Sequence, residues 1–401
     1  MALPTPQTLP EVLKHSRTRV VFRAGALTEL GDLARAEGAR HVLLVTDRGI
    51  VSAGHVSRAV ASLEAADVRV TVFEDVRENP TADHVDAGVR SARAAGATPL
   101  HPSVASADVP GRRLDGQPID TIVGLGGGSS LDCAKGINFI YTNGGKIADY
   151  WGIGKATKPM LPMIAVPTTA GTGSEAQSYA LISDPVTHQK MACGDAKAAC
   201  RVAILDPDLT ATQPALVAAA TGIDAVSHAV ETAATTRRNE ISLEFTRQAW
   251  SRVASAYERA VLAPEDSENR AAMLLGAHLA GAAIEHSMLG AAHSCANPLT
   301  ARCDIMHGIA VGVMLPHVVR FNSQNGTNHY AAICDDPPAL ADRLERLLDV
   351  AGLPRRLAEC GVRSEMLPEL AEEAARQWTA KFNCVPVAAA DLHEIYQAAF
   401  E

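Results

Sequence analysis

Asp224 and His228 stand four residues apart in TGIDAVSHAVE, a spacing that puts both side chains on one face of a helix. Farther along, GAAHSCANPLTARCDIMHGIAVGVMLPHVVRFN, from Gly290 to Asn322, holds His293 and His307 among small and apolar residues. One carboxylate and three imidazoles make a divalent-metal set of borderline softness, suited to Zn²⁺ or Fe²⁺. Taken singly, the Asp/His pair is by default an ordinary helical contact, and each later histidine a hydrogen-bonded core residue. Four such residues in two clusters, in apolar surroundings, favour the metal. Fourteen positions separate His293 from His307, so the two must come from different elements or helix ends. Cys295 and Cys303 lie close by, but their spacing fits no common zinc motif, and they read as packing residues.

Two glycine-containing stretches upstream could bind an anion. GLGGGSSLDCAK (Gly124 to Lys135) follows an apolar strand and opens a helix. Consecutive glycines let a backbone approach a phosphate closely, and the helix N-terminus behind them offers free N–H groups. Such a turn is often only structural; here the glycine run and its strand–helix context favour a pyrophosphate, with Ser129 and Ser130 as caps or donors. It is not a Walker loop, because no GK[ST] follows. PTTAGTGSE (Pro167 to Glu175) presents hydroxyls and backbone N–H groups after the strand MIAV, or is a plain turn with a helix cap. The usual dinucleotide fingerprint has its acidic residue after the glycines. Asp47 instead lies upstream, at the end of HVLLVTD, where it either holds a ribose hydroxyl or caps a loop.

The elements that must position these residues fall into two halves. Strand-like RVVF, HVLLVTD, VRVTVFE, DTIVGLGGG, MIAV and VAILD alternate with helix-like ALTELGDLARAEG, SRAVASLEAAD and HVDAGVRSARAAG. That alternation, with continuous apolar strands, predicts a parallel Rossmann-like sheet covered by helices on both faces. From about Asp208 the pattern becomes long Ala-, Leu- and Glu-rich helical segments, and the chain reads as helical to its end. The expected division is an α/β domain over 1–207 and an all-helical domain over 208–401. The Pro- and Gly-rich stretch between Gly96 and Asp120 reads as an inserted surface loop.

At 401 residues and 47% hydrophobic, the chain has the composition of a globular protein with room for two cores. A net charge of −9 argues against nucleic acid or an anionic membrane as main partner. No apolar run reaches the ~18 residues of a membrane span, and the N-terminus has no signal-peptide pattern. The eight cysteines are scattered without a CxxC pair, which fits reduced thiols in the cytoplasm.

At these motifs the chain resembles the iron-containing, group III metal-dependent alcohol dehydrogenases. GGGSSLDCAK is similar to the family's pyrophosphate turn, PTTAGTGSE to its threonine loop and ILDPDLT to the strand before its domain boundary. GIDAVSHAVE and the MHG…LPHVVRFN run resemble its two metal-ligand regions. The resemblance implies a dehydroquinate synthase-like fold with a cleft between the two domains, and one Fe²⁺ or Zn²⁺ held by Asp224, His228, His293 and His307. It implies NAD(H), with Asp47 disfavouring a 2′-phosphate. Gly127, Gly128, Ser129 and Asp132 would lie at the pyrophosphate turn, Thr168, Thr169 and Thr172 at the nicotinamide side, and Lys190 near the ribose. Tyr179 and Ile284 would line the substrate pocket, and Trp151 either borders the cleft or lies in a core. Family members are commonly homodimers or larger homo-oligomers.

One position departs from the pattern. Many members carry a second histidine four residues after the first of the later pair, as a proton relay; here the residue is Asn297. Asparagine is neither an acid nor a base near neutral pH. Proton exit would then use water, a ribose hydroxyl, or His286, seven residues before His293. The expected reaction is hydride transfer between the nicotinamide and a small primary alcohol or aldehyde, with domain closure excluding water. Related alternatives are a maleylacetate reductase- or glycerol dehydrogenase-like enzyme. A dehydroquinate synthase-type lyase would need a strongly cationic pocket that the sequence does not announce. From another class, a non-catalytic NAD(H)-binding sensor would account for Asn297 but not for four retained ligands.

Overall fold

A computed structural model describes residues 9–97, 117–187 and 189–401. Among the described residues, nine strands and five α-helices make up the first half. The strands are β1 (Arg19–Phe22), β2 (His41–Val45), β3 (Arg69–Phe73), β4 (Thr121–Gly126), β5 (Gly152–Ile153), β6 (Met163–Pro167), β7 (Tyr179–Ser183), β8 (Lys190–Gly194) and β9 (Val202–Leu205). The helices are α1 (Leu30–Ala36), α2 (Arg48–Ser52), α3 (His55–Ala65), α4 (Ala82–Ala97) and α5 (Gly128–Asn143). Six strands form one parallel sheet in the order β1-β9-β6-β4-β2-β3. Every residue of β2, β4, β6 and β9 is buried. Alternation along β2 sends Leu43 and Val45 to one face and Val42 and Leu44 to the other, and each face has its own apolar core under helices. This is the parallel, doubly covered sheet that continuous apolar strands imply.

A second sheet was not visible in the sequence. β7 and β8 pair antiparallel as a hairpin, and the two-residue β5 joins β8, giving the order β5-β8-β7. Trp151, just before β5, is 44% exposed, so its side chain is in no core. From 98 to 116 the expected inserted loop lies outside the described residues.

Helices follow the last strand: α6 (Ala215–Ala234), α7 (Glu240–Leu262), α8 (Ser267–His286), α9 (Ala291–Cys303), α10 (His307–Asn322), α11 (Pro337–Val350), α12 (Leu367–Arg376) and α13 (Ala389–Phe400). Asn239 and Asp266 cap α7 and α8 by accepting backbone N–H groups of their first turns. The helices share one core, with α6 at its centre, buried from Gly222 to Ala234 without a break. A span so buried leaves no solvent face, and any polar residue on it needs a partner inside the protein. Among the described residues, no helix is long and apolar enough to cross a membrane.

Candidate metal and cofactor site

In the large sheet, β3 lies outside β2, and the chain then returns to lay β4 on the other side of β2. Such a reversal opens a crevice at the carboxyl ends of the strands, where α/β sheets bind ligands. Asp47, Gly127 and Thr168 follow β2, β4 and β6, three adjacent strands, and all three line one cavity of about 980 Å³.

The glycine turn is built for close approach. A Cβ on Gly128 would fall 2.6 Å from Thr172 Cγ2, and one on Gly127 would stand 3.3 Å from Thr169 Cγ2. The bare backbone at the start of α5 therefore faces the threonine loop directly, with the free N–H groups of a helix N-terminus. Asp47 does two things at once. Its Oδ1 accepts the Ile50 N–H at 3.1 Å, capping α2, and its Oδ2 accepts the Ser130 hydroxyl at 3.1 Å. Ser129, Asp132, Thr169, Thr172 and Lys190 also line the cavity. Asp132 accepts the Ser174 hydroxyl at 2.6 Å, and burial pushes its carboxyl up from the ordinary range. Burial lowers the Lys190 ammonium, with the charges of Asp224 and Asp132 opposing that shift. The Thr168 hydroxyl oxygen is buried in this cavity without a hydrogen-bond partner.

The threonine loop leaves the sheet but is fastened to α8. Gly173, at φ +59°, packs so close to Gly281 that a Cβ on it would fall 2.7 Å from the Gly281 Cα. Glu175 Oε1 meets His278 Nδ1 at 3.1 Å, and Ser178 donates to Glu285 from its N–H (3.0 Å) and hydroxyl (2.7 Å). The fully buried Lys135 ammonium closes the loop's other side, donating to the Ser174 and Tyr179 carbonyls at 2.6 and 2.8 Å.

Asp224 and His228 sit one turn apart on the buried face of α6, while His293 is in the first turn of α9. One ligand atom from each of these three lies within 4.8 Å of the others. Nε2 of His228 and of His293 are 3.4 and 3.5 Å from Asp224 Oδ1. The His228 and His293 rings stack with centroids 4.9 Å apart. His307, the first residue of α10, stands beside the trio with its ring centroid 5.5 Å from that of His293. Gly308 makes this approach possible, since any Cβ there would be driven into the Ala220 carbonyl of α6.

Asp224 Oδ1 and His293 Nε2 are buried and have no hydrogen-bond partner. Two orphaned buried polar atoms aimed at one point are costly unless something charged completes them. Burial opposes ionisation of Asp224, yet the charge of His228 and contacts with His293 and His307 hold its carboxyl well below the usual range. Burial lowers His228, and lowers His307 further with help from the Lys190 charge. For His293, burial is overcome by Glu231 and Asp224, and its value is raised to about 9. Two carboxylates thus face this one ring, Asp224 at Nε2 and Glu231 at Nδ1. The donor set and its orphaned atoms fit a divalent metal ion.

Glu231 was missed by sequence reasoning, although it lies in the same motif, three residues after His228 and seven after Asp224. Its Oε2 makes a very short contact with His293 Nδ1, and its Oε1 accepts the Ala292 N–H at 2.8 Å. A carboxylate in that position fixes the ring's orientation and tautomer and raises its basicity as a ligand. Glu231→Ala is expected to weaken metal binding by about 10- to 100-fold, with Glu231→Gln recovering part of the loss. Competition with a chromophoric chelator measures this, and equal dissociation constants for the parent and both variants would refute the role.

Among the substrate-pocket expectations, Tyr179 and Ile284 line the cavity, together with Leu289 and Met306. His286 and Asn297 are not brought to its wall. The His286 ring stacks on Phe245, with centroids 5.6 Å apart, at the end of α8. Asn297 donates to Gln377 Oε1 at 3.2 Å. Neither replaces a proton relay from these positions.

Residues 17–207 match the model of the iron-containing alcohol dehydrogenase family, and residues 218–400 match that of the Fe-containing alcohol dehydrogenase family, C-terminal. The NAD-dependent methanol dehydrogenase of Bacillus methanolicus is 34% identical over 367 residues, 88% of this chain and 91% of that protein. The crystal structure of a 1,3-propanediol oxidoreductase superposes with a TM-score of 0.85 at 29% identity, covering 95% of this chain and 98% of the other. The sulfoacetaldehyde reductase from Bifidobacterium kashiwanohense, in complex with NAD⁺, does so with a TM-score of 0.82 at 27% identity, covering 96% and 97%. The chain belongs to the iron-containing alcohol dehydrogenase family. It is an oxidoreductase whose parallel α/β half and helical half have that family's architecture.

Proposed function

We propose that this protein interconverts small primary alcohols and aldehydes, using NAD(H) and one Fe²⁺ or Zn²⁺. One observation carries this reading. The Asp224/His228/His293 cluster, with its unpartnered ligand atoms, opens into the same cavity as the glycine cradle and the threonine loop. When bound, the metal would polarise a carbon–oxygen bond and ease loss of a hydroxyl proton, and the nicotinamide would give or take the hydride.

The chain's own residues supply the positioning. Asp224, His228, His293 and His307 hold the metal, and Glu231 orients His293. Gly127, Gly128 and Ser129 take the pyrophosphate, and Asp132 and Lys190 flank it. Thr168, Thr169 and Thr172 border the nicotinamide, while Asp47 takes the ribose hydroxyls. Tyr179, Ile284, Leu289 and Met306 form an apolar wall that limits water at the reacting carbon. The proton leaves through water or a ribose hydroxyl, because Asn297 is engaged with Gln377 and has no acid–base chemistry. Absence of NADH oxidation by metal-loaded protein, across a panel of aldehydes and with either ion, would overturn the proposal.

Asp47 gives a separate check on the cofactor. Asp47→Asn keeps an acceptor to cap α2 but removes the charge that repels a 2′-phosphate. The NAD-over-NADP preference in kcat/KM is expected to fall roughly tenfold, equivalent to about 1.4 kcal/mol. An unchanged ratio would place the ribose elsewhere.

A further inference from the structure

The segment from Gln377 to Asn383 touches both the metal-bearing helix and the pocket wall. Along α9, Gln377 accepts from Asn297, the Thr379 hydroxyl pairs with that of Ser294 at 2.8 Å, and Asn383 Oδ1 accepts the Ala291 N–H at 3.3 Å. Those contacts flank His293 on the same helix. On its other side, Trp378 stacks on Tyr179, with centroids 5.8 Å apart and planes 22° from parallel. Phe382 packs its edge on Trp378 with centroids 6.4 Å apart, and the Arg237 guanidinium lies 5.8 Å from the centre of the Phe382 ring. Tyr179 belongs to the small sheet of the first half, whereas the rest of the ladder belongs to the helical half.

Tyr179 lines the cavity and is only half-buried; its ring lies over Gly194, so close that a Cβ there would be driven into Cε1. Trp378 adds a second support, stacked on the ring. Stacked aromatic pairs contribute beyond their buried area, and this one is braced in turn by Phe382 and by three hydrogen bonds to α9. The wall's distance from the metal ligands is therefore set through one continuous piece of structure.

We propose that Trp378 is a specificity-determining residue that holds Tyr179 in place and so limits how far a substrate's carbon chain extends from the metal ligands. The inference rests on the alcohol dehydrogenase reading above and names the substrate class more narrowly: short-chain alcohols and aldehydes. A pocket wall discriminates between chains differing by a methylene by about 10- to 200-fold, so a shift in the wall is readable in relative kcat/KM.

The test compares ethanol, butanol, hexanol and benzyl alcohol as substrates of the metal-loaded full-length parent, Trp378→Ala and Trp378→Phe. The expected result is that Trp378→Ala raises the hexanol-to-ethanol and benzyl alcohol-to-ethanol ratios of kcat/KM by about tenfold or more. Trp378→Phe, which preserves stacking, should restore the parental ratios, and NADH affinity and metal content should be unaltered in both. If Trp378→Ala does not fold, Trp378→Leu gives the same comparison, since it too removes the stacking ring. Ratios that stay at parental values in a folded variant would overturn the inference, leaving Trp378 as a contact between the halves. A parent that turns over no member of the panel would instead sink the alcohol dehydrogenase reading itself.

Discussion

Asp224→Asn is expected to empty the metal site and lower turnover by about a thousandfold or more, with NADH affinity within a factor of about two of the parent. The substitution is nearly isosteric, so the argument concerns charge rather than volume. In the parent, an ionised carboxylate faces two imidazoles at 3.4 and 3.5 Å inside a helix that is buried all round. Burying that charge is tolerable only with positive charge beside it, from His293, whose value is raised to about 9, or from a metal ion. With Asn, the ligand set has no anion of its own, and only Glu231, behind His293, is left to offset a divalent ion. The proposed cofactor cradle comprises Asp47, the Gly127–Ser129 turn and the threonine loop, none of which uses Asp224 as a hydrogen-bond partner. Metal content by elemental analysis and NADH titration by fluorescence separate the two effects. Full metal occupancy in the variant would contradict the assignment, as would a parallel loss of NADH affinity.

Gly308→Ala should have the largest effect of any single added methyl group near the site. No side chain intervenes where the start of α10 lies on the Ala220 carbonyl of α6. Neither atom group can yield cheaply: one side is helix backbone and the other is the first turn carrying His307. Relief requires α10 to move away from α6. Overpacking of this kind costs about 1–3 kcal/mol, and here the displacement also withdraws His307 from the Asp224/His228/His293 trio. The expected outcome is a lower thermal midpoint together with weaker metal binding. A variant as stable as the parent, with the same metal affinity, would show that α10 does not depend on this contact for its placement. The glycine of the MHG motif thus has a physical reason to be glycine, one that its sequence neighbours do not reveal.

Much of this arrangement was legible in the sequence because it follows from short periodicities. Four-residue spacing put Asp224 and His228 on one helical face, and unbroken apolar runs marked β2, β4, β6 and β9 as strands buried on both sides. The gap between His293 and His307 proved to be nearly all of α9 and the turn that follows it, so that each histidine stands at the start of a helix. What stayed hidden depends on tertiary approach. YALIS and KMACG are five-residue strands with mixed burial, and their hairpin is stabilised by pairing that no local pattern announces. His286 precedes His293 by seven residues, but the break at Ser287–Gly290 between α8 and α9 sends it toward Phe245 instead of the cavity. Trp378 reaches Tyr179 across nearly 200 positions, a distance at which residue spacing carries no information.

The anchoring of the threonine loop has a mechanical consequence. Covalently, residues 168–178 continue from β6 and belong with the sheet. By contact they are held from both sides: α8 grips them through the Gly173–Gly281 crossing, Glu175–His278 and Ser178–Glu285, and α5 through Ser174–Asp132 and the Lys135 ammonium. The loop is therefore a joint between the two halves rather than a part of either. Rocking of the helices against the sheet would load these contacts first, and one set would have to break before the Gly127–Ser129 turn and the Asp224/His228/His293 cluster could move apart.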